Sequence, residues 1–277
     1  MVTCQGSQGV LADADERWSV DLRDRVAIVT GASSGIGAAT ARELARRGAT
    51  VVGVARRADR LDEVMAACLR DSPASWGRPS DVGDTDACRQ VVADVLDRFG
   101  RVDIVVNNAG ISPDEDPRQR ALADAERIMA VNFFGPVALV DAVLSGMLER
   151  RSGSIVNVTS VSGYMPAPGE PAYGASKAAL SRWSHGLSVD LHGSGVHVGV
   201  VSPGPIDTEI WGHADNAYDG KLYPPEVVAT AIARMIEHET VHVTAPRHYG
   251  AVGAVYPLLG RPMRWGVRKY ADRQRGR

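Results

Sequence analysis

The chain is poor in the features that mark secreted, membrane-spanning or nucleic-acid-binding proteins. Its 277 residues contain three cysteines, Cys4, Cys68 and Cys88. No two form a C-x-x-C pair and one is left over however the others join, so no disulfide framework is expected and a reducing compartment fits. Lys+Arg 31 against Asp+Glu 33 leaves a net charge of −2, so there is no global basic field to attract nucleic acid or an anionic membrane. No apolar run approaches the roughly 18 residues of a membrane span; the nearest, Ala251 to Leu259, is broken by Gly253 and Pro257. The first residues, MVTCQGSQGVLADADERW, carry acids where a secretory leader needs a basic region and roughly 7–15 apolar residues. The expectation is a cytoplasmic protein with no membrane span and a small-molecule partner. Repeats and low-complexity tracts are also missing.

What is present is an alternation. Short apolar, β-branched runs at Val26–Thr30, Val51–Val54, Ile104–Val106, Ile155–Val158 and Val196–Val201 are separated by segments of helical period. That order predicts βαβ units around a parallel sheet covered on both faces. Helices are expected at 37–47, 58–69, 85–99, 122–150, 172–191 and 224–237. Within the fourth, Val140, Val143, Leu144, Met147 and Leu148 follow 3-and-4 spacing, which predicts one buried face. Three parts follow: a polar extension at 1–20, one domain at 21–246, and a C-terminal extension at 247–277 that is basic from Arg261 onward.

In an open parallel sheet ligands bind beyond the carboxyl ends of the strands, and the residues there are distinctive. After the first run comes Thr30-Gly31-Ala32-Ser33-Ser34-Gly35-Ile36-Gly37, opening a helix. Glycines at such a turn admit a pyrophosphate close to the backbone, and the free N–H groups with the helix dipole offset its charge. Gly31, Ser33, Ser34, Gly35, Ile36 and Gly37 are therefore candidate dinucleotide contacts. After the second run stand Arg56 and Arg57 and no acid. An acid there would bond the ribose 2′-hydroxyl of NAD, whereas arginine suits a 2′-phosphate. The cofactor expected is NADP(H), with NAD(H) as the alternative. Asp81-Val82 closes a poorly marked strand, interrupted by Pro73, Trp76, Gly77 and Pro79, in the place to edge an adenine. Asn108-Ala109-Gly110 follows the Ile104 run, Ser160 the Ile155 run, and Pro203, Gly204, Ile206 and Thr208 the Val196 run.

Tyr173 and Lys177 stand four apart at the start of a predicted helix and leave it on one face. A phenol titrates near pH 10 in water, and an adjacent ammonium is expected to lower that value, making Tyr173 a proton donor or acceptor. With seven tyrosines and three lysines in the chain, chance yields about 0.08 such pairs. Ser160 ends the preceding strand, placed to bond a substrate oxygen. Asn132 lies just before Gly135-Pro136, where the helix is expected to kink and open.

Taken in order and spacing, TGASSGIG at 30–37, NNAG at 107–110, Asn132, Ser160, Tyr173-Gly174-Ala175-Ser176-Lys177 and Pro203-Gly204 resemble the short-chain dehydrogenase/reductase family over about Leu22–Ala245. The resemblance implies a single-domain, three-layer Rossmann fold with a doubly wound, seven-stranded sheet. It implies an oxidoreductase in which an Asn132, Ser160, Tyr173, Lys177 tetrad moves a hydride between a nicotinamide and a carbonyl or secondary alcohol carbon. Tyr173 would be the acid/base and Ser160 would orient the oxygen. Lys177 would bind the nicotinamide ribose and lower the Tyr173 pKa, and Asn132 would hold a relay water. NADP-preferring relatives often carry a basic residue at the place of Arg56, and many carry one in the glycine turn, where this chain has Ser34. Dimers or tetramers through the helices at 122–150 and 172–191 are implied, as is a substrate loop at 209–223 containing Trp211, Tyr218 and Tyr223, three of the few aromatics in a chain only 5% aromatic.

Two other readings remain at this level. A protein of this fold that senses NADP(H) or acts as a scaffold without turnover would need no proton donor. His238-Glu239-Thr240-Val241-His242 spells H-E-x-x-H, but helical period stops near Glu237 and the next residues alternate like a strand, where residues four apart lie about 13 Å from each other. No metal site is expected.

Overall fold

A computed structural model describes residues 19–112, 117–167, 169–211 and 221–250 together with Trp265 and Lys269. The apolar runs become strands β1 (Val26–Thr30), β2 (Thr50–Ala55), β4 (Ile104–Asn107), β5 (Gly153–Val158) and β6 (Val196–Pro203). The poorly marked β3 (Trp76–Pro79) and the alternating segment after Thr240, β7 (His242–Ala245), complete the set. All pair in parallel, in the order β3-β2-β1-β4-β5-β6-β7. This is the doubly wound arrangement, with the chain reversing its direction of travel between β1 and β4.

The strands are apolar on consecutive residues because each feeds two cores. From β1, Ala27 and Val29 pack into one and Val26 and Ile28 into the other. The first core is closed by helices α1 (Gly35–Arg46), α2 (Ala58–Asp71) and α7 (Glu226–His238), through Leu44, Leu61, Ile232 and Ile236. The second is closed by α3 (Thr85–Phe99) and α5 (Gly135–Glu149), through Val91, Val95, Leu139 and Val143, with Trp183 and Leu187 of α6 (Pro171–Asp190) packed against it. The weak mark of β3 has a local cause. It is an edge strand of four residues, and its proline stands last, where the missing N–H breaks no interior ladder.

The helix expected over 122–150 is two helices. A π-helical turn at Ala130–Phe134 joins α4 (Pro117–Met129) to α5, so the opening falls at Asn132 rather than at Gly135-Pro136. Gly135 explains the close packing that follows: a Cβ there would stand 2.1 Å from the Val82 carbonyl oxygen. The Leu122–Glu149 stretch, with an 18-residue window of mean hydropathy 1.8, is long and apolar enough by length and composition to cross a membrane. In the fold α5 buries Ala138, Leu139, Val140, Val143 and Met147, while Leu148 is exposed.

Val20, ahead of the first strand, is tied to the end of α7 by its N–H to the Glu237 carbonyl, 2.8 Å. Residues 1–18, the middle of the 209–223 loop including Tyr218, and nearly all of the C-terminal extension lie outside the described residues. The base of the loop is fixed: Asp207 N–H donates to Tyr223 O (2.8 Å) and Tyr223 N–H to Pro205 O (3.1 Å).

Candidate active site

The glycine turn is shaped for a ligand that approaches the backbone. Gly31 has φ +68°, and a Cβ on Gly37 would lie 2.2 Å from the Gly31 carbonyl oxygen, so the turn and the first coil of α1 meet with no room for a side chain. The first intrahelical bond is Ala38 N–H to Ser34 O, 3.1 Å. The N–H groups of Gly35, Ile36 and Gly37 are therefore open to an anion. The turn is pinned to the next one. Thr30 Oγ1 accepts from the N–H groups of Asn108 and Ala109, both at 3.0 Å, and Asn108 Nδ2 donates to Thr30 O at 2.9 Å. Thr30 belongs to the motif by sequence, yet its role as the clamp between strand ends emerges only from pairing of β1 with β4. These donors and glycines fit a dinucleotide pyrophosphate.

At the end of β2 the two arginines part company. Arg56 is largely exposed, 4.0 Å from Asp81 Oδ2, while Asp81 Oδ1 accepts from Gly83 N–H. Arg57 turns back over the glycine turn and donates from Nη2 to Ser34 Oγ (2.9 Å) and Ser33 Oγ (3.3 Å). The arginine bonded to the turn is thus Arg57, while Arg56, just past β2, keeps its side chain largely in solvent. Arg57 takes the N-cap position of α2, two residues past the end of β2. It also places a guanidinium beside Ser34, the position where the turn itself has no basic residue.

The four residues of the implied tetrad converge. Asn132, fully buried in the π turn, accepts from Ile111 N–H (2.9 Å) and donates to Ile111 O (3.0 Å) and Ser176 Oγ (3.0 Å). Ser176 Oγ in turn donates to Tyr173 O, 2.7 Å. Asn132 therefore clamps the loop after β4 to the start of α6. Lys177, 3% exposed, donates to the Val158 carbonyl at 3.0 Å, and its Nζ lies 5.8 Å from the Tyr173 ring centroid. Ser160 caps the 3₁₀ turn Val161–Gly163, its Oγ accepting from Ser162 N–H at 3.1 Å, and its side chain stands near enough to Tyr173 to favour the charged phenol.

Burial governs the protonation of this cluster. It lowers the Lys177 pKa to about 8. It pushes Tyr173 well above the ordinary phenol range; the nearby Glu170 carboxylate adds to the rise and Ser160 opposes it. The net shift of Tyr173 is thus upward, opposite to the lowering that the resemblance implies, because desolvation dominates at this buried phenol. Glu170, at the N-terminus of α6, carries no sequence signal. It is itself raised by burial, against a hydrogen bond from Ser112.

Pro203 ends β6, and Gly204 N–H bonds the Ala245 carbonyl, 2.9 Å. Ile206 bridges to Tyr223, and the Thr208 methyl occupies the space where a Gly35 Cβ would stand, 2.8 Å away. Val82 is buried under α5. The H-E-x-x-H segment divides as the pattern predicts: His238 ends α7 and His242 opens β7. His242 Nε2 instead meets Tyr164 Oη (2.8 Å) and Ser202 Oγ (3.0 Å), and the Tyr164 and Ser202 hydroxyls bond each other. This junction fixes the segment after Ser160 to β6 and β7, and among the described residues no metal-binding cluster of His, Cys, Asp and Glu is found.

The family model for short chain dehydrogenase matches residues 25–219. An uncharacterized oxidoreductase of Staphylococcus saprophyticus is 36% identical over 226 residues, covering 81% of this chain and 96% of its own. Among solved structures, a short-chain dehydrogenase from Sphingobium yanoikuyae in complex with NADPH is 30% identical with a TM-score of 0.75, covering 88% of this chain and 95% of its own. The L-sorbose reductase of Gluconobacter frateurii, complexed with NADPH and L-sorbose, is 26% identical with a TM-score of 0.74, over 82% of this chain and 98% of its own.

Proposed function

The chain belongs to the short-chain dehydrogenase/reductase family, and from that premise we propose that it is an NADP(H)-dependent oxidoreductase that interconverts a small carbonyl compound and its secondary alcohol. The observation that carries this reading is Tyr173 beside Ser160 at the strand ends, with the buried Lys177 Nζ 5.8 Å from its ring. The NADPH complexes of two relatives, and Arg57 held against Ser33 and Ser34, support NADP(H) over NAD(H). The glycine turn would hold the pyrophosphate, Asp81 and Val82 would edge the adenine, and Lys177 would meet the nicotinamide ribose. A bound nicotinamide supplies hydride to the carbonyl carbon or takes it from the alcohol.

The chain's own groups handle the proton. In reduction Tyr173 gives its phenolic proton to the carbonyl oxygen, which Ser160 orients by hydrogen bonding. In oxidation both transfers reverse. A raised Tyr173 pKa keeps the phenol protonated at neutral pH, the state that reduction requires. The Asn132 side chain is committed to Ile111 and Ser176, so a relay water at this residue would be held by its main-chain carbonyl, in the π turn where the regular ladder is interrupted. Tyr223, His248 and Tyr249 stack in series, with centroids 5.7 and 4.5 Å apart, and Tyr249 packs on Gly204. This aromatic wall supports a moderately apolar substrate.

Exposed Phe134 and Leu148 on the α4–α5 side and Val189 on α6 support self-association through these helices. The unpaired, buried thiols of Cys68 and Cys88 accord with a cytoplasmic setting. The deciding experiment replaces Tyr173 by Phe. The expected result is loss of carbonyl reduction with NADPH affinity retained; a wild-type protein that binds NADPH and turns over no carbonyl or alcohol would be a sensor instead.

A further inference from the structure

The residues suited to a 2′-phosphate already hold an anion of the chain's own. Glu209 opens the 3₁₀ turn Glu209–Trp211. Its Oε2 lies 2.7 Å from Arg57 Nη1 and its Oε1 bonds Arg60 Nη1, so one carboxylate spans two guanidiniums. Arg57 uses its other nitrogen on Ser33 and Ser34. Glu209 is brought there by backbone and not by reach, since the neighbouring Thr208 packs on Gly35 of the glycine turn. Ser33, Ser34, Arg60 and Glu209 together border an open cleft of ≈ 630 Å³. The pairing is strong enough to hold Glu209 below the ordinary carboxylate range, chiefly through the Arg57 hydrogen bond. At neutral pH it is therefore an anion.

Resting on the proposed use of NADP(H), we propose that Glu209 is an internal counter-ion that competes with the 2′-phosphate for Arg57 and Arg60, and so sets how sharply the protein distinguishes NADP(H) from NAD(H). A monoester phosphate carries about −1.5 to −2 charges near neutrality and three acceptor oxygens, against one charge and two oxygens on Glu209. It therefore displaces the carboxylate, but part of its attraction goes to breaking the existing pairs. NAD(H) has no such group, leaves the Glu209 pairs intact and loses nothing. The carboxylate narrows the gap between the two dinucleotides while keeping Arg57 and Arg60 ordered and neutralised before binding. Because the side chains involved are nearly half exposed, solvent and salt screen the competition and its size is modest.

The test is a titration of wild type and Glu209→Gln with NADPH, NADH and adenosine 2′,5′-bisphosphate, at low and moderate ionic strength, with the ligand-free melting temperature as the check on folding. Glu209→Gln is expected to bind NADPH and the bisphosphate about two- to fivefold tighter, the effect of trading exposed ion pairs, with NADH affinity unchanged and the gain shrinking as salt rises. Unchanged NADPH affinity would overturn the proposal, as would weaker binding, which would make Glu209 a positioner of Arg57. A wild type that prefers NADH refutes the cofactor reading alone, and Glu209→Gln must still gain for NADPH. Binding of neither dinucleotide by either protein defeats both. Should Glu209→Gln fail to fold, Glu209→Ala answers the same question.

Discussion

The two ends of the sheet's ligand-binding edge are built on opposite principles. At the catalytic end, Asn132, Ser176 and Lys177 are sealed from water and bonded to backbone or to one another. At the other end, past β2, Arg56, Arg57, Arg60 and Glu209 stand largely or half in solvent and find partners across the surface. Burial makes a charge expensive and its position unique; the Lys177 ammonium gives up part of its basicity, and its single direct bond is to a strand carbonyl. Exposure makes charges cheap and exchangeable, so an internal carboxylate can occupy a cation cluster and yield it to a ligand. The proposed proton transfer thus belongs to the buried end, and the proposed choice between dinucleotides to the wet end.

That contrast is sharpest at Tyr173→Phe, which should lower turnover by about 10²–10⁴, the usual size of a lost general acid, while fluorescence titration shows NADPH affinity retained. Next comes a stability effect from Lys177. Its folded pKa, about 8, lies below the ordinary 10.5, so the unfolded chain binds more protons between those values, and this group's contribution to stability rises with pH across that window. The increment is roughly 3 kcal/mol, and it is constant below about pH 8, where both states are protonated. Urea unfolding at pH 8 and pH 10 should show the slope in wild type and its loss in Lys177→Met. An unaltered slope in that variant would mean that other groups produce it.

Asn132→Ala strips partners from both the N–H and the carbonyl of Ile111 and should destabilise by about 2–3 kcal/mol, read as a lowered urea midpoint, together with a slower reaction as the loop after β4 loosens. At the exposed end the effects shrink. Arg57→Ala should weaken NADPH binding about tenfold and NADH binding little, with the difference fading in high salt. Arg56→Ala should change NADPH affinity less than about twofold, because an arginine mostly in solvent has little to lose. Equal losses at the two arginines would erase the distinction drawn between them, and a larger loss at Arg56 would reverse it.

Much of the fold was readable along the chain. Five of the seven strands appear as consecutive β-branched runs, because a strand covered on both faces must be apolar at every position. The sixth and seventh were faint for a physical reason: β3 and β7 are edge strands with one protected side, so Gly77, Pro79 and His242 are tolerated in them. The π turn at Ala130–Phe134 left a trace only in Gly135-Pro136 just beyond it. Its position follows from how closely α5 must approach Val82, which no local pattern encodes. The Leu122–Glu149 stretch teaches the converse, since its composition suits either a bilayer or a core and the packing of α5 against α3 and the sheet shows which face is covered.

The sequence by itself determined the sheet, the glycine turn and the set Asn132, Ser160, Tyr173 and Lys177, since these depend on periodicity and on backbone freedom at particular residues. Tertiary structure alone decided which arginine is bonded to the turn, that Glu209 meets that arginine from 152 residues away, and that burial raises the Tyr173 pKa. Charge pairing and desolvation are properties of distance and of water excluded, and both come into being only when remote segments pack.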